Sequence, residues 1–452
     1  MLLNFLKKVT VALSLTAVGL GGVACGMVMP DTEATELPDV VETTETVETA
    51  AQGEIVLRVA TGDSGAGLVP HERIIEQFEA ENPGISIMLE SVEGRDYYGR
   101  LLTAIAAENA PDIVQIGDDA LPQFVGQEAL LPLDGLIVGD YPLDTGIYLP
   151  GVLEAGQWQG RQYLLPKDYS TLAVFYNKKI FDAYNMPYPT DDWTWDEFLE
   201  TAQALTQDTD GDGNTDVWGV QLPASWTTGF EYWVAAAGGS LISPDGQRVE
   251  GYLDSPQVTE AVQFYGDLYN AHGVAPLPVD LNSFGGGNHQ FENGQAAMQF
   301  FGRWPQSSLL DNEAVELGVV SPPRLGDKVN ILIWGGFGIV RDSPNQEAAW
   351  RFLRFYTGQP GSEVWKDWAL PAVETVAEEA GLTADPIEGV WLEQLQSLTP
   401  RGYTRTPHWE RAVAPALLGV LETVIIDPEA DVESILQDAA RDAQRELNIL
   451  NQ

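Results

Sequence analysis

From residue 54 onward the chain alternates short apolar runs with amphipathic stretches, and this alternation limits its folds more than any other feature. IVLRVA at 55–60 has the length and β-branched content of a buried strand. Residues 61–67 follow as a glycine-rich loop, and residues 72–81 put Ile74, Ile75 and Phe78 on one helical face before Pro83 stops the helix. A second strand at 85–90, a second helix at 96–109 with Tyr97, Leu101, Leu102 and Ile105 inward, and a third strand at 112–116 complete a unit of parallel strands covered by helices. Ligands of such sheets sit beyond the carboxyl ends of the strands, so Asp63 and Ser64 after the first strand, and Asp118 and Asp119 after the third, border a candidate cleft.

A second α/β region follows. LAVFY at 172–176 reads as a strand, and Thr194 with Glu197 forms a capping box ahead of a helix whose Trp195, Phe198, Leu199, Ala202 and Leu205 share a face. Ser255 and Ser343 each precede a proline, the pattern of an N-cap followed by proline at the first helical position. A final helix at 432–450 turns Ile435, Leu436, Ala439, Ala443 and Leu447 inward.

Charge and cysteine usage remove several functions. Sixty-seven acidic against 23 basic residues give a net charge of −44, a field that repels phosphate backbones and anionic lipid heads, so no nucleic-acid partner is expected. A single cysteine makes no internal disulfide and no thiolate-rich zinc site. It ends a leader in which Lys7 and Lys8 precede an apolar run at 9–20, so residues 1–24 read as a signal peptide, too short to span a membrane as a mature helix. GVAC at 22–25 resembles a bacterial lipobox, which would make Cys25 the lipidated mature N-terminus. Gly22 stands where a Leu-like residue is usual, so cleavage by the ordinary signal peptidase is the alternative. Residues 25–53 then form an acidic tether without aromatic groups, too poor in apolar surface to offset its ordering entropy.

Several segments, in this order, carry a resemblance: APDIV (110–114), ALLPLD (129–134), LPKDYS (165–170), AVFYNKKIF (173–181), WTWDEF (193–198), FENGQAAM (291–298), GRW (302–304) and SPNQEAAWRFL (343–353). Together they are similar to the extracellular solute-binding proteins of ABC importers, in the group that binds sugars. The resemblance implies an α/β, two-lobed, periplasmic-binding-protein-like fold of type II, each lobe a sheet flanked by helices. It places lobe 1 at 54–166 and 320–362 and lobe 2 at 167–319 and 363–452. Hinge crossovers fall near 167–170, near 319–323 and between 361 and 368. It further implies no catalysis, a monomer held extracytoplasmically by its lipid anchor, and closure on a carbohydrate that ABC permease subunits then recognise.

Sugar hydroxyls want carboxylate or amide partners, and sugar C–H faces want an aromatic platform. Trp226, Trp304, Trp334 and Trp409 lie in Gly-, Pro- or Thr-rich segments and are the candidate platforms. Asp63, Ser64, Asp118 and Asp168 are candidate polar contacts, Gly335 and Gly336 could admit close backbone approach, and Arg303 could clamp an anionic solute. Each has a plainer reading as a core tryptophan, a solvated acid or an ion pair.

Asp208, Asp210, Asp212, Asn214 and Asp216 repeat oxygen ligands at alternate positions, with Gly213 sixth, as at the start of a calcium loop; the twelfth position is Gly219 rather than Glu. The string reads either as a structural calcium site or as no more than a tight surface turn, and no cofactor is required. GDSG at 62–65 lacks the histidine placement of a serine protease. The alternatives kept open are a receptor for a non-sugar solute such as a polyamine and a secreted glycoside hydrolase with two facing carboxylates.

Overall fold

Residues 55–92, 97–117, 119–149, 151–224, 226–279 and 287–452 are described by a computed structural model. The leader, Cys25, the tether and Asp118 lie outside them. No helix among the described residues is long and apolar enough to cross a membrane.

The first three expected strands are present as β1 (Ile55–Thr61), β2 (Ile85–Ser91) and β3 (Ile113–Gly117), with β1 paired in parallel to both others. Helices Val69–Glu81 and Tyr97–Ala106 cover them. The first begins ahead of the amphipathic pattern because Pro70 is tolerated in a first turn, where its missing N–H has no helical partner to lose. A short hairpin of β4 (Gln157–Trp158) and β5 (Arg161–Gln162) leads into β6 (Leu164–Ser170). The second region supplies β7 (Leu172–Asn177), β8 (Trp218–Gln221), β9 (Ala296–Gly302) and β10 (Leu317–Val320); the chain then adds β11 (Ile333–Ile339) and β12 (Leu370–Pro371). One sheet runs β12-β6-β11-β3-β1-β2 and the other β10-β7-β9-β8.

Every residue of β7 and β9 is buried, as expected for strands covered on both faces. On one face Leu172, Val174, Met298 and Phe300 belong to a core whose nearer layer includes the helices Trp195–Leu205 and Thr227–Ala236, with Phe300 against Tyr232 and Trp233, and which extends to the helices Pro256–Tyr269, Ala414–Ile426 and Val432–Leu450. On the other, Ala173, Phe175 and Phe301 join a core that also holds Ala60, Val114, Ile116 and Tyr169 of the first sheet, so the two sheets share apolar packing. A third core, around Leu57, Phe78, Phe337, Trp350 and Tyr356, fills the far side of the first sheet.

The chain changes sheet at Thr171, the only residue between β6 and β7, whose hydroxyl donates to the Trp391 carbonyl at 3.1 Å. It returns between β10 and β11. Leu370 and Pro371 still pair with β6, so the third passage lies beyond the expected 361–368 window, and Leu370 with Pro371, in a range expected in lobe 2, belong to the first sheet. All three passages meet at fully buried Asn330. Its amide exchanges two 2.9 Å hydrogen bonds with the Leu172 backbone and donates to Gln394 at 3.1 Å, while its own backbone pairs with Ser397 and Thr399.

Local signals differ in outcome. The Thr194–Glu197 capping box opens the helix Trp195–Leu205, and Ser255 caps the helix beginning at Pro256. Ser343 does not cap, because its hydroxyl donates to Asp112 at 2.6 Å, and the helix Gln346–Thr357 begins after Asn345.

Candidate functional site

The carboxyl ends of β1 and β3, with one edge of β6, one end of β11 and the turn after β9, border a cavity of about 260 Å³. Gly62 lines it from just past β1, Gln115 and Gly117 from β3, Tyr97 and Tyr98 from the adjoining helix, Asp168, Tyr169 and Ser170 from β6, and Ile333, Trp334 and Gly335 from β11; Arg303 and Trp304 face them from beyond β9. Of the residues expected from sequence, Asp168, Arg303, Trp304, Trp334 and Gly335 meet here, and Asp63, Ser64, Trp226, Gly336 and Trp409 do not line the cavity.

The four tryptophans have different tasks. Trp304 is 44% exposed, while Trp226 packs edge-on against it at 5.4 Å and Phe301 lies at 4.8 Å, so Trp226 buttresses its ring. Trp334 is buried with its Nε1–H unpartnered. Trp409 is buried in the core of the second sheet, where an apolar ring is better satisfied than in a wet cleft. Each ring lies against a glycine, Gly229, Gly302, Gly336 and Gly402 respectively for Trp226, Trp304, Trp334 and Trp409, at which a Cβ would overlap the ring. Gly336 therefore makes room for Trp334 rather than for a ligand.

Asp63 is turned inward. Its carboxylate accepts from Lys167 at 3.1 Å and pairs with His71 Nε2 at 2.8 Å; Nδ1 of His71 meets the Tyr356 hydroxyl at 2.8 Å, the tautomer in which Nε2 carries the proton. Burial alone would raise the Asp63 carboxyl, but the Lys167 ammonium and then the His71 hydrogen bond hold it well below the ordinary carboxylate range. Burial pushes the His71 imidazole down, against the pull of Asp63. Lys167, buried and 4.2 Å from the Trp365 ring, also touches Asp168 at 3.1 Å. Burial outweighs that attraction at Asp168 and raises its carboxyl, so one ammonium serves two carboxylates and the second borders the cavity.

Arg303 is likewise engaged within the protein. Nε and the guanidinium Nη2 grip Glu388 in a two-pronged bond at 2.7 and 2.5 Å, and Nη1 reaches the Trp368 carbonyl. Glu388 also accepts from Gln306, whose oxygen accepts from Trp391. The fork that could clamp an anionic solute is filled by Glu388, which overturns the expected role.

Tyr98, Gln115, Tyr169 and Ser170 were not singled out from sequence. Tyr169 and Ser170 sit in the LPKDYS segment beside Asp168, which was signal enough. Tyr98 and Gln115 carry no local mark and reach the cavity only because their helix and strand stand side by side. The Tyr169 hydroxyl and Trp334 Nε1 are buried within the wall and have no hydrogen-bond partner, while Asp168 supplies the acidic side chain of the lining.

Elsewhere, single carboxylate oxygens of Asp208, Asp210 and Asp216 come within 4.8 Å of one another. Asp212 stays outside this group and accepts from the Asn214 backbone.

A family model described as bacterial extracellular solute-binding protein matches residues 70–363. A maltotriose-binding protein of Pyrococcus abyssi is 25% identical over 380 residues, covering 81% of this chain and 77% of its own. Among solved structures, an ABC substrate-binding protein of Listeria monocytogenes in complex with cycloalternan superposes with a TM-score of 0.76 at 24% identity, over 87% of this chain and 99% of that one. UgpB of Mycobacterium tuberculosis in complex with glycerophosphocholine gives the same TM-score at 21% identity, over 89% and 100%. At these identities the structural likeness establishes a common fold.

Proposed function

Since the chain belongs to the bacterial extracellular solute-binding proteins, an extracytoplasmic family of two-domain α/β receptors, we propose that it captures a carbohydrate in the cavity beside Trp304 and presents it to the permease of an ABC importer. The observation that carries this reading is the wall itself. The half-exposed Trp304 stands in one lining with the polar side chains of Gln115, Asp168 and Ser170, the complement of a pyranose with C–H faces and hydroxyls. The maltotriose and cycloalternan named for two of the similar proteins belong to the same chemical class.

The competing readings fit the wall less well. A polyamine wants several carboxylates, and Asp168 is the one acid among the described residues lining this cavity. A glycoside hydrolase needs two carboxyl groups facing across the ligand, so the same observation favours a binder that returns its sugar unchanged. A phosphodiester such as the one bound by the M. tuberculosis protein wants a free cation, whereas Arg303 is held by Glu388 and Lys167 by Asp63 and Asp168.

Binding works by differential affinity: contacts from both sheets are complete only when the walls are close, so ligand favours the closed arrangement that the permease reads. We read Cys25 as the lipid anchor of a monomer, and the Asp208–Asp210–Asp216 group as a calcium site that stiffens its loop. A thermal-shift screen of the full chain with neutral sugars, uronic acids and polyamines tests the assignment. A sugar at 100 times its Kd stabilises by about 2.7 kcal/mol. The shift should vanish in Trp304→Ala, and the sugars should be recovered intact. A shift with polyamines alone would reject the carbohydrate. Calcium should add stability that Asp210→Asn removes; an unchanged Tm in calcium and EDTA would reject the metal.

A further inference from the structure

Gly335 of β11 pairs with Gly117 of β3, so two residues without side chains stand together in the lining of the cavity. On the other side of Gly335 the register with β6 slips, from Asp168 opposite Gly335 to Pro166 opposite Gly336, and Lys167 is the extra residue of a bulge. Consecutive strand residues ordinarily point to opposite faces, but here Lys167 and Asp168 turn toward one point. A Cβ at Gly335 would stand 3.7 Å from Lys167 Cε, 3.2 Å from Asp168 Oδ1 and 3.9 Å from Gln115 Nε2. The missing side chain leaves a notch flanked by a carboxylate oxygen and an amide nitrogen. Both groups reach the cavity. The Asp168 side chain is 22% exposed, and its Oδ2 holds Lys167 while Oδ1 has no partner among the described residues. Gln115 is half-buried; its Oε1 accepts from the Thr61 hydroxyl, and its Nε2 has no partner among the described residues. The sense of this amide follows from its neighbours. Asp63 Oδ2 already accepts from Lys167 and pairs with His71, which leaves the Thr61 proton for Gln115, and an inverted amide would turn its oxygen toward the Asp168 carboxylate.

We propose that this notch reads one unsubstituted hydroxyl of the bound sugar, which enters beside Gly335, donates to Asp168 Oδ1 and accepts from Gln115 Nε2. Gln115 and Gly335 are then specificity-determining residues of the site. The proposal rests on the carbohydrate reading and narrows it. A hydroxyl carries one proton and two lone pairs, so it answers both walls at once. An ammonium has no lone pair for the Gln115 amide, and an ether or carbonyl oxygen has no proton for the Asp168 carboxylate. A methyl group on the hydroxyl meets the same space that a Cβ at Gly335 would fill. The bond to Asp168 is charge-assisted, and a site built to bond a hydroxyl discriminates strongly against the analogue that lacks it, because its own polar groups are then left unpaired.

The test titrates the full chain calorimetrically with glucose, galactose, mannose, cellobiose and maltotriose, and then with the monodeoxy and mono-O-methyl derivatives of the tightest binder. At one ring position, removing or methylating the hydroxyl should weaken binding at least about tenfold. In Gln115→Met, which keeps volume and removes the donor, the same change to the sugar should cost under about threefold, a coupling that a merely structural glutamine would not produce. Gly335 holds no positive φ, and the nearest neighbour of an added methyl is a side-chain oxygen, so Gly335→Ala should fold while filling the notch. It should lower affinity for the parent sugar at least about tenfold. Were that variant to misfold, the Gln115→Met comparison decides alone. Native-like affinity in a folded Gly335→Ala, no derivative weaker than about threefold, or a cost that Gln115→Met leaves intact overturns the notch and leaves carbohydrate capture standing. Absence of binding by every sugar overturns both.

Discussion

Two buried cations flank the main cavity, and they are balanced differently. Arg303 has a single carboxylate partner, Glu388, that fills its fork, with Gln306 and Trp391 extending the network away from the ligand. Lys167 stands between Asp63 and Asp168, an ammonium with one carboxylate more than neutrality needs. Asp63 is further engaged by His71, so the surplus acceptor is Asp168, the one that lines the cavity. A balanced pair acts as scaffold and an unbalanced one leaves capacity for a ligand. Both look alike in sequence, as a basic residue next to a candidate contact.

Breaking the balanced pair should have the largest effect. Glu388→Ala strands a guanidinium whose side chain is 9% exposed, and urea unfolding should show a loss of about 3–5 kcal/mol. The double variant Arg303→Met with Glu388→Leu should recover most of that, because neither charge then needs desolvation. A loss below about 1 kcal/mol in Glu388→Ala would contradict the scaffold role. Lys167→Met is next in size. It leaves two carboxylates without their cation, but both keep some contact with water and can take up protons, so about 2 kcal/mol is expected at pH 7. Without the ammonium both carboxyls titrate higher in the folded protein, so the deficit should shrink as pH falls. A deficit that does not change with pH would mean that lost packing against Trp365, rather than charge, is what the variant reports.

That contrast also marks how far the sequence could be read. The strands of the first sheet, the Thr194 cap, the Ser255–Pro256 start and the last helix were legible because each is written in a few consecutive residues with the right period. Asp168, Trp304 and Trp334, singled out from Gly-rich or crossover segments, do line the cavity. Arg303 was misread, since Glu388 is 85 positions away and nothing local records the pairing. Asp63 was misread for the same reason, with Lys167 104 positions on. Trp409 shares its loop-like surroundings with Trp304, and only the Gly402 contact and the closed core around it show that it packs inward. The Asn330 junction was invisible, because a lone asparagine has no pattern until three passages of the chain meet on it.

Removing the surplus acceptor separates binding from stability. Asp168→Asn keeps the shape and leaves Lys167 its bond to Asp63, so stability should change by less than about 1 kcal/mol, while sugar affinity should fall about tenfold through loss of a charge-assisted hydrogen bond. Titration calorimetry beside urea unfolding distinguishes the two. Affinity unchanged in a stable variant would mean that Asp168 only balances Lys167, and the difference between the two cations would disappear.

The smallest effect tests an acid whose charged neighbours come from the regions of both sheets. The Glu410 carboxyl is pushed up to about 7, by burial first and by the Asp119 carboxylate second, with Arg401 pulling it down and Glu231 adding to the rise. Asp119 follows β3 of the first sheet, whereas Glu231 lies in the helix Thr227–Ala236 beside the second. A folded-state pKa above the unfolded value of about 4.3 means that the native protein holds an extra proton between the two values. The resulting stability is fully present below the unfolded pKa and is lost as pH rises through about 7. Glu410 still keeps much of its surface in water, so screening limits the effect to a degree or two in Tm. Glu410→Gln removes the titration, so its Tm relative to the native chain should rise between pH 5 and pH 8, the difference cancelling what every other group contributes. A constant difference across that interval would show that folding leaves the titration of the Glu410 carboxyl unchanged, and that its neighbours from the two sheets do not act on it.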